Sequence, residues 1–172
     1  MTQVENWGAT EADRAASFAC DDHMPDADAA YFRAIEVDAP PQRTFRWLCQ
    51  LRIAPYSYDW VDNFGRRSPR QLTDGVDDLA VGQSVMRIFR LVAFQRDRHI
   101  TITTRRDRLF GDVAVTYMVR PVGPDRSRIV VKVLVRYPRG VRGVVLRRGL
   151  PLGDLVMMRK QLHTLKSLAE GA

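Results

Sequence analysis

The sequence predicts an α+β fold, one curved antiparallel sheet packed against a long C-terminal helix. Two observations carry that prediction. From Gly82 to Tyr137, apolar or alternating segments follow one another through short turns, and strands joined by short turns run antiparallel. After Pro151 and Gly153 the period changes: Leu155, Met158, Leu162, Leu165 and Ala169 recur at helical spacing behind Asp154, which reads as an N-cap of a helix over 154–169.

The elements follow in order. Residues 1–29 are polar and acidic, with Asp21, Asp22, Asp26 and Asp28 around Pro25, and read as a short helix and an irregular N-terminal arm. A single domain then spans 30–172, as expected for a chain of this length. "YFRAIEV" alternates, with Phe32, Ala34 and Glu36 opposite Tyr31, Arg33, Ile35 and Val37, the pattern of a strand. "DAPP" stops it and opens a helix, because proline is tolerated in a first turn whose N–H groups have no helical partner. In "QRTFRWLCQL" Phe45, Leu48 and Cys49 share a face, flanked by Trp47 and Leu51.

"SVMRIFRLVAF" is apolar nearly throughout, with Arg87 and Arg90 on opposite parities, which points to a bulge or to a strand buried on one face at each end. "HITITT" and "VAVTYMV" alternate, the latter turning Val113, Val115, Tyr117 and Val119 one way. The hairpin signal "VGPDR" leads to "SRIVVKVLVRY", where Ile129, Val131, Val133, Val135 and Tyr137 point inward and Lys132 and Arg136 are expected to face water.

Composition excludes several function classes. Of 27 basic residues only Lys132, Lys160 and Lys166 are lysine, and the formal charge is +7. An arginine bias of this kind is common in GC-rich coding, and the arginines are spread along the chain, so nucleic-acid binding is not expected. Cys20 and Cys49 lack CxxC spacing and read as reduced thiols; His23, His99 and His163 lie far apart, so no metal or other cofactor is expected. Neither a signal peptide nor a membrane span is visible, and a cytoplasmic location is the expectation.

"RAIEVDAPPQRTFRWLCQL" and "GDLVMMRKQLHTLKSLAE", in that element order, resemble the SRPBCC superfamily, the START-like or helix-grip proteins, over about Trp7 to Glu170. The "VDAPP" strand end before a helix with a Trp-Leu pair is similar to the polyketide cyclase/dehydrase-like branch, and "YSYDWVDN" and "WGAT" to a subgroup of uncharacterised bacterial members. The resemblance implies a sheet wrapped around the last helix with an internal cavity between them, used by relatives for lipids, sterols or polyketides. It supplies no shared catalytic set.

The residues of that cavity wall are therefore read from the sequence itself. Tyr56, Tyr58 and Trp60 share a parity, and three rings on one face make a flat apolar wall with hydroxyl and indole groups to orient a ligand. The alternative is plain core packing. Met86, Ile88, Tyr117 and Met158 extend the expected wall. Asp59 and Asp62 invite an acid–base reading, but "DNFG" is strong turn chemistry. Binding or carriage of an apolar small molecule is the leading expectation, with no catalytic residue assigned. The alternatives are a cyclase or dehydratase using Tyr58, Asp59 or Tyr117 to move a proton, and an interaction module whose cavity is filled. The basic stretch Arg139 to Arg148 is a candidate for transient docking on an anionic membrane; its alternative is a solvated loop with the valines tucked under the helix.

Overall fold

The structure, a computed structural model, describes residues 2, 4–58, 67–104 and 111–171. Seven strands form one open, curved sheet in the order β1-β2-β7-β6-β5-β4-β3. They are β1 (Asn6–Trp7), β2 (Ala29–Val37), β3 (Ser84–Val85), β4 (Phe89–Gln95), β5 (His99–Thr104), β6 (Asp112–Gly123) and β7 (Arg126–Arg136). Every pairing is antiparallel except that of β1 with β2, which is parallel and adds an edge strand absent from the sequence expectation. A register shift stands between Leu91 and Ala93, but the opposite parities of Arg87 and Arg90 come from a turn: the expected single strand is broken between β3 and β4, with Arg87 in the break.

Strand parity divides the core into two. On the inner face Tyr31, Val37, Val115, Tyr117, Val119, Ile129, Val131, Val133, Val135 and Tyr137 pack against α3 (Pro41–Cys49) and the terminal helix α4 (Val141–Glu170). On the outer face Phe32, Ala34, Ala114, Val130 and Leu134 pack against Ala9, Phe18, Cys20 and Met24 of the N-terminal segment. Both faces of β2 and β7 are thus covered.

The described residues ahead of β2 are a built part of the fold. Besides β1 they form α1 (Glu11–Arg14), with a capping box between Thr10 and Asp13, and α2 (Cys20–His23). Their acidic side chains meet the basic outer face of the sheet. Asp13, buried, accepts from Arg120 and Arg128; Lys132 pairs with Asp21 and Arg136 with Asp26. Burial pushes the Asp13 carboxyl up, but hydrogen bonds from the Thr10 backbone and from Arg128 outweigh it and hold the group below its ordinary value. Lys132 therefore does not face water. It sits over the rings of Phe18 and Phe32 beneath the segment. Gly8 makes this docking feasible: at φ +75° a Cβ there would stand 2.2 Å from the Ala34 carbonyl oxygen.

The terminal helix also departs from the expectation. It begins at Val141, runs for 30 residues and carries Pro151 inside it. Proline supplies no N–H, so the bond to the carbonyl four residues back is missing, but the helix continues through it. Asp154 is not a cap. It lies mid-helix, facing the sheet.

Candidate ligand site

The inner face of α4 carries the site. Gln161, buried in the middle of the helix, joins three separate elements. It accepts the Tyr117 hydroxyl at 2.8 Å, and its amide donates to the Pro55 carbonyl at 2.6 Å and lies 3.5 Å from the Met86 sulfur. The Met158 sulfur is 3.6 Å from the same tyrosine hydroxyl. Burial, with Asp154 adding to it, drives the Tyr117 hydroxyl far above its ordinary value, so this group keeps its proton and acts as a donor.

Two turns of helix away, Arg33 of β2 is fully buried and pairs with Asp154 at 2.8 Å; the Asp154 side chain is 17% exposed. Arg33 also donates to the backbone oxygens of Glu5 and Phe32, but its Nε has no partner among the described residues. Burial pushes the Asp154 carboxyl up to about 6, against the opposing pull of the Arg33 guanidinium. Tyr31, two residues before Arg33, shares a hydrogen bond with Tyr137 of the β7 end. Its hydroxyl is pushed up first by burial and then by that bond.

Tyr137 is also a wall of an open cleft of about 500 Å³ between the end of β7 and the start of α4, with Asp28, Gly140, Gly143, Val144 and Arg147. The Arg147 guanidinium lies 4.9 Å from the Tyr137 ring centroid and pairs with Asp28 at 3.0 Å. Tyr137 thus lines the cleft and also bonds Tyr31. Gly143 is required here, because a Cβ would meet the Pro138 carbonyl oxygen at 2.0 Å.

The residues expected to line a cavity are distributed unevenly. Met86, Tyr117 and Met158 come together around Gln161, beside Tyr56. Tyr56 is buried, donates to the Pro69 carbonyl at 2.7 Å and sets its ring edge-on against Trp47 at 6.2 Å. Tyr58 and Ile88 are exposed; Ile88 falls in the β3–β4 turn, where Met86 and Arg87 take positive φ, and not on a strand. Trp60, with Asp59 and Asp62, lies outside the described residues.

Gln161, Asp154, Arg33 and Tyr31 went unassigned as site residues in the sequence. One signal pointed to Arg33: strand parity set it among Tyr31, Ile35 and Val37, and a charge on a buried face needs a partner. Among the described residues no three His, Cys, Asp or Glu side chains converge as a metal site, and Cys20 and Cys49 are free and buried, the Cys49 thiol pushed up to about 12 by that burial.

No family model matches the sequence, and no curated protein matches it. Solved structures do. A START superfamily protein from Mycobacterium smegmatis is similar at a TM-score of 0.53 and 14% identity, over 83% of this chain and 97% of the other. The chain has the START-like, helix-grip fold. A hypothetical protein from Helicobacter pylori is similar at a TM-score of 0.55 and 12% identity, over 90% of this chain and 96% of its own. A protein from Chromobacterium violaceum is similar at 0.52 and 16%, over 82% and 96%. At these identities the likeness is one of START-like fold.

Proposed function

We propose that this START-like chain binds an apolar small molecule between the sheet and the first half of α4. One observation carries the reading. From Met158 onward the inner face of the helix is buried at every turn, through Met158, Gln161, Leu162, Leu165 and Ala169, whereas over 141–157 only Gly143 is fully buried and Leu146 and Leu150 remain half-buried. An apolar guest that enters by the cleft at Tyr137 and shifts Leu146 and Leu150, half-buried against the core, would complete that half of the interface. Burial of apolar area drives such binding at roughly 25 cal/mol per Å² removed from water.

The inner polar groups set its orientation. Arg33 Nε, on the residue that pairs with Asp154, is a buried donor with no acceptor among the described residues, and an oxygen on the guest would satisfy it. Tyr117 keeps its proton and donates a hydrogen bond to Gln161, so it is not poised to abstract a proton, which favours carriage over cyclase or dehydratase chemistry.

Native mass spectrometry of the protein as purified, and titration of solvent-stripped protein with 1-anilinonaphthalene-8-sulfonate, test the proposal. A retained apolar molecule, or saturable probe binding that Leu150→Trp abolishes while the unfolding temperature holds, supports it. Absence of both a retained molecule and saturable probe binding overturns it.

A further inference from the structure

The outward face of the same half-helix carries a second feature, independent of what lies inside. At 3.6 residues per turn Val141, Val145, Leu152 and Val156 fall within an arc of roughly 60°, a stripe roughly 22 Å long on the side of α4 opposite Gly143, Leu150 and Asp154. All four are open to solvent, at 82%, 64%, 57% and 46% exposure. Val144 is also exposed, beyond Arg148 around the helix. The valines therefore do not tuck under the helix.

The charges that α4 itself carries beside this stripe have one sign, while Asp26 and Asp28 lie at the cleft on the Arg147 side. Arg142 flanks it on one side and Arg148 on the other, with Arg139 just before the helix and Lys160 one turn beyond Val156. Arg139, Arg142 and Arg148 have no ion-pair partner among the described residues, unlike Arg147, which is held by Asp28. Asp154 is the one acidic residue between Val141 and Lys160, and it faces inward onto Arg33. A soluble helix normally turns its apolar stripe to the core and its charges to water; here an apolar stripe with a cationic border is turned to water.

We infer that this face of α4 docks on an anionic lipid bilayer, lying in the interface with Val141, Val145, Leu152 and Val156 among the acyl chains and Arg139, Arg142 and Arg148 at the phosphates. Apolar burial and attraction to anionic lipid act together in such helices. A second copy of the chain is the poorer occupant, because pairing two stripes brings the two sets of arginines together without a carboxylate between them.

Flotation of the full chain with phosphatidylcholine vesicles, with and without 30% phosphatidylglycerol, tests this. Binding is expected only to the anionic vesicles at low salt, lost at 0.5 M salt as screening shortens to about 4 Å. Arg142→Gln and Arg148→Gln should each weaken it about fivefold, and Val145→Ser with Leu152→Ser should abolish it, with circular dichroism unchanged in every variant. Failure to bind anionic vesicles at low salt overturns the inference. So does a concentration-dependent dimer in analytical ultracentrifugation that the Val145→Ser/Leu152→Ser variant dissolves, which assigns the stripe to a second copy.

Discussion

The two halves of α4 share one helix and one sheet but are held to very different degrees. Residues 158–170 set Met158, Gln161, Leu162, Leu165 and Ala169 into the core, and Gln161 ties them to β6 and to the segment after α3. Residues 141–157 touch the protein through half-buried Leu146 and Leu150 against the inner core, through a close backbone approach at Gly143, through Arg147 and through the Arg33–Asp154 pair, and leave five aliphatic side chains exposed. The contrast shows that continuous helix is not continuous packing. The gripped half is expected to supply more of the stability, and the proposed guest would sit against the loosely held half.

Substitutions should separate the halves, beginning with the largest effect. Leu162→Ala or Leu165→Ala, in the gripped half, should cost about 2–5 kcal/mol in urea unfolding, while Val145→Ala stays within about 0.5 kcal/mol. Similar costs at the two positions would erase the distinction.

Next comes the pair that holds the first half to β2. Asp154 binds a proton more readily folded than unfolded, so its contribution to stability is present at low pH and lost as pH rises from about 4 to about 6. Wild type minus Asp154→Asn should therefore fall across that window, by about 3 kcal/mol if the full shift is realised. A difference that grows with pH would mean that the carboxylate, not the acid, is favoured beside Arg33. Tyr117→Phe, which leaves the Gln161 oxygen without its donor, should cost about 1–2 kcal/mol by the same unfolding measurement. Gly143→Ala, which sets a Cβ against the Pro138 carbonyl oxygen, should destabilise more than Val145→Ala. Its displacement of Pro138 should show as faster amide exchange confined to the first turns of α4.

The fold was legible because period and turn chemistry speak locally. Alternation in β2, β6 and β7 placed Tyr31, Tyr117 and Ile129 to Tyr137 on the inner face, and "DAPP" marked the start of α3. The start of α4 was hidden for an equally local reason: Pro151, Gly149 and Gly153 are helix-breaking signals, and tertiary contacts at Gly143, Arg147 and Asp154 override them. The role of the N-terminal segment was hidden because its charges find their partners more than 100 positions away, as Asp13 does in Arg120 and Arg128. Of the expected wall, Met86, Tyr117 and Met158 gather around Gln161, a glutamine that no periodicity argument singles out. Ile88 missed the strand because Met86 and Arg87 make the turn.

The central claim, that 141–157 is an open half-interface awaiting an apolar guest, is tested most directly by amide hydrogen exchange along α4 in solvent-stripped protein, before and after addition of 1-anilinonaphthalene-8-sulfonate. Exchange should be much faster over 141–157 than over 158–170, and the probe should slow the first half while leaving the second unchanged. Equal protection in both halves, unaltered by the probe, would contradict the account.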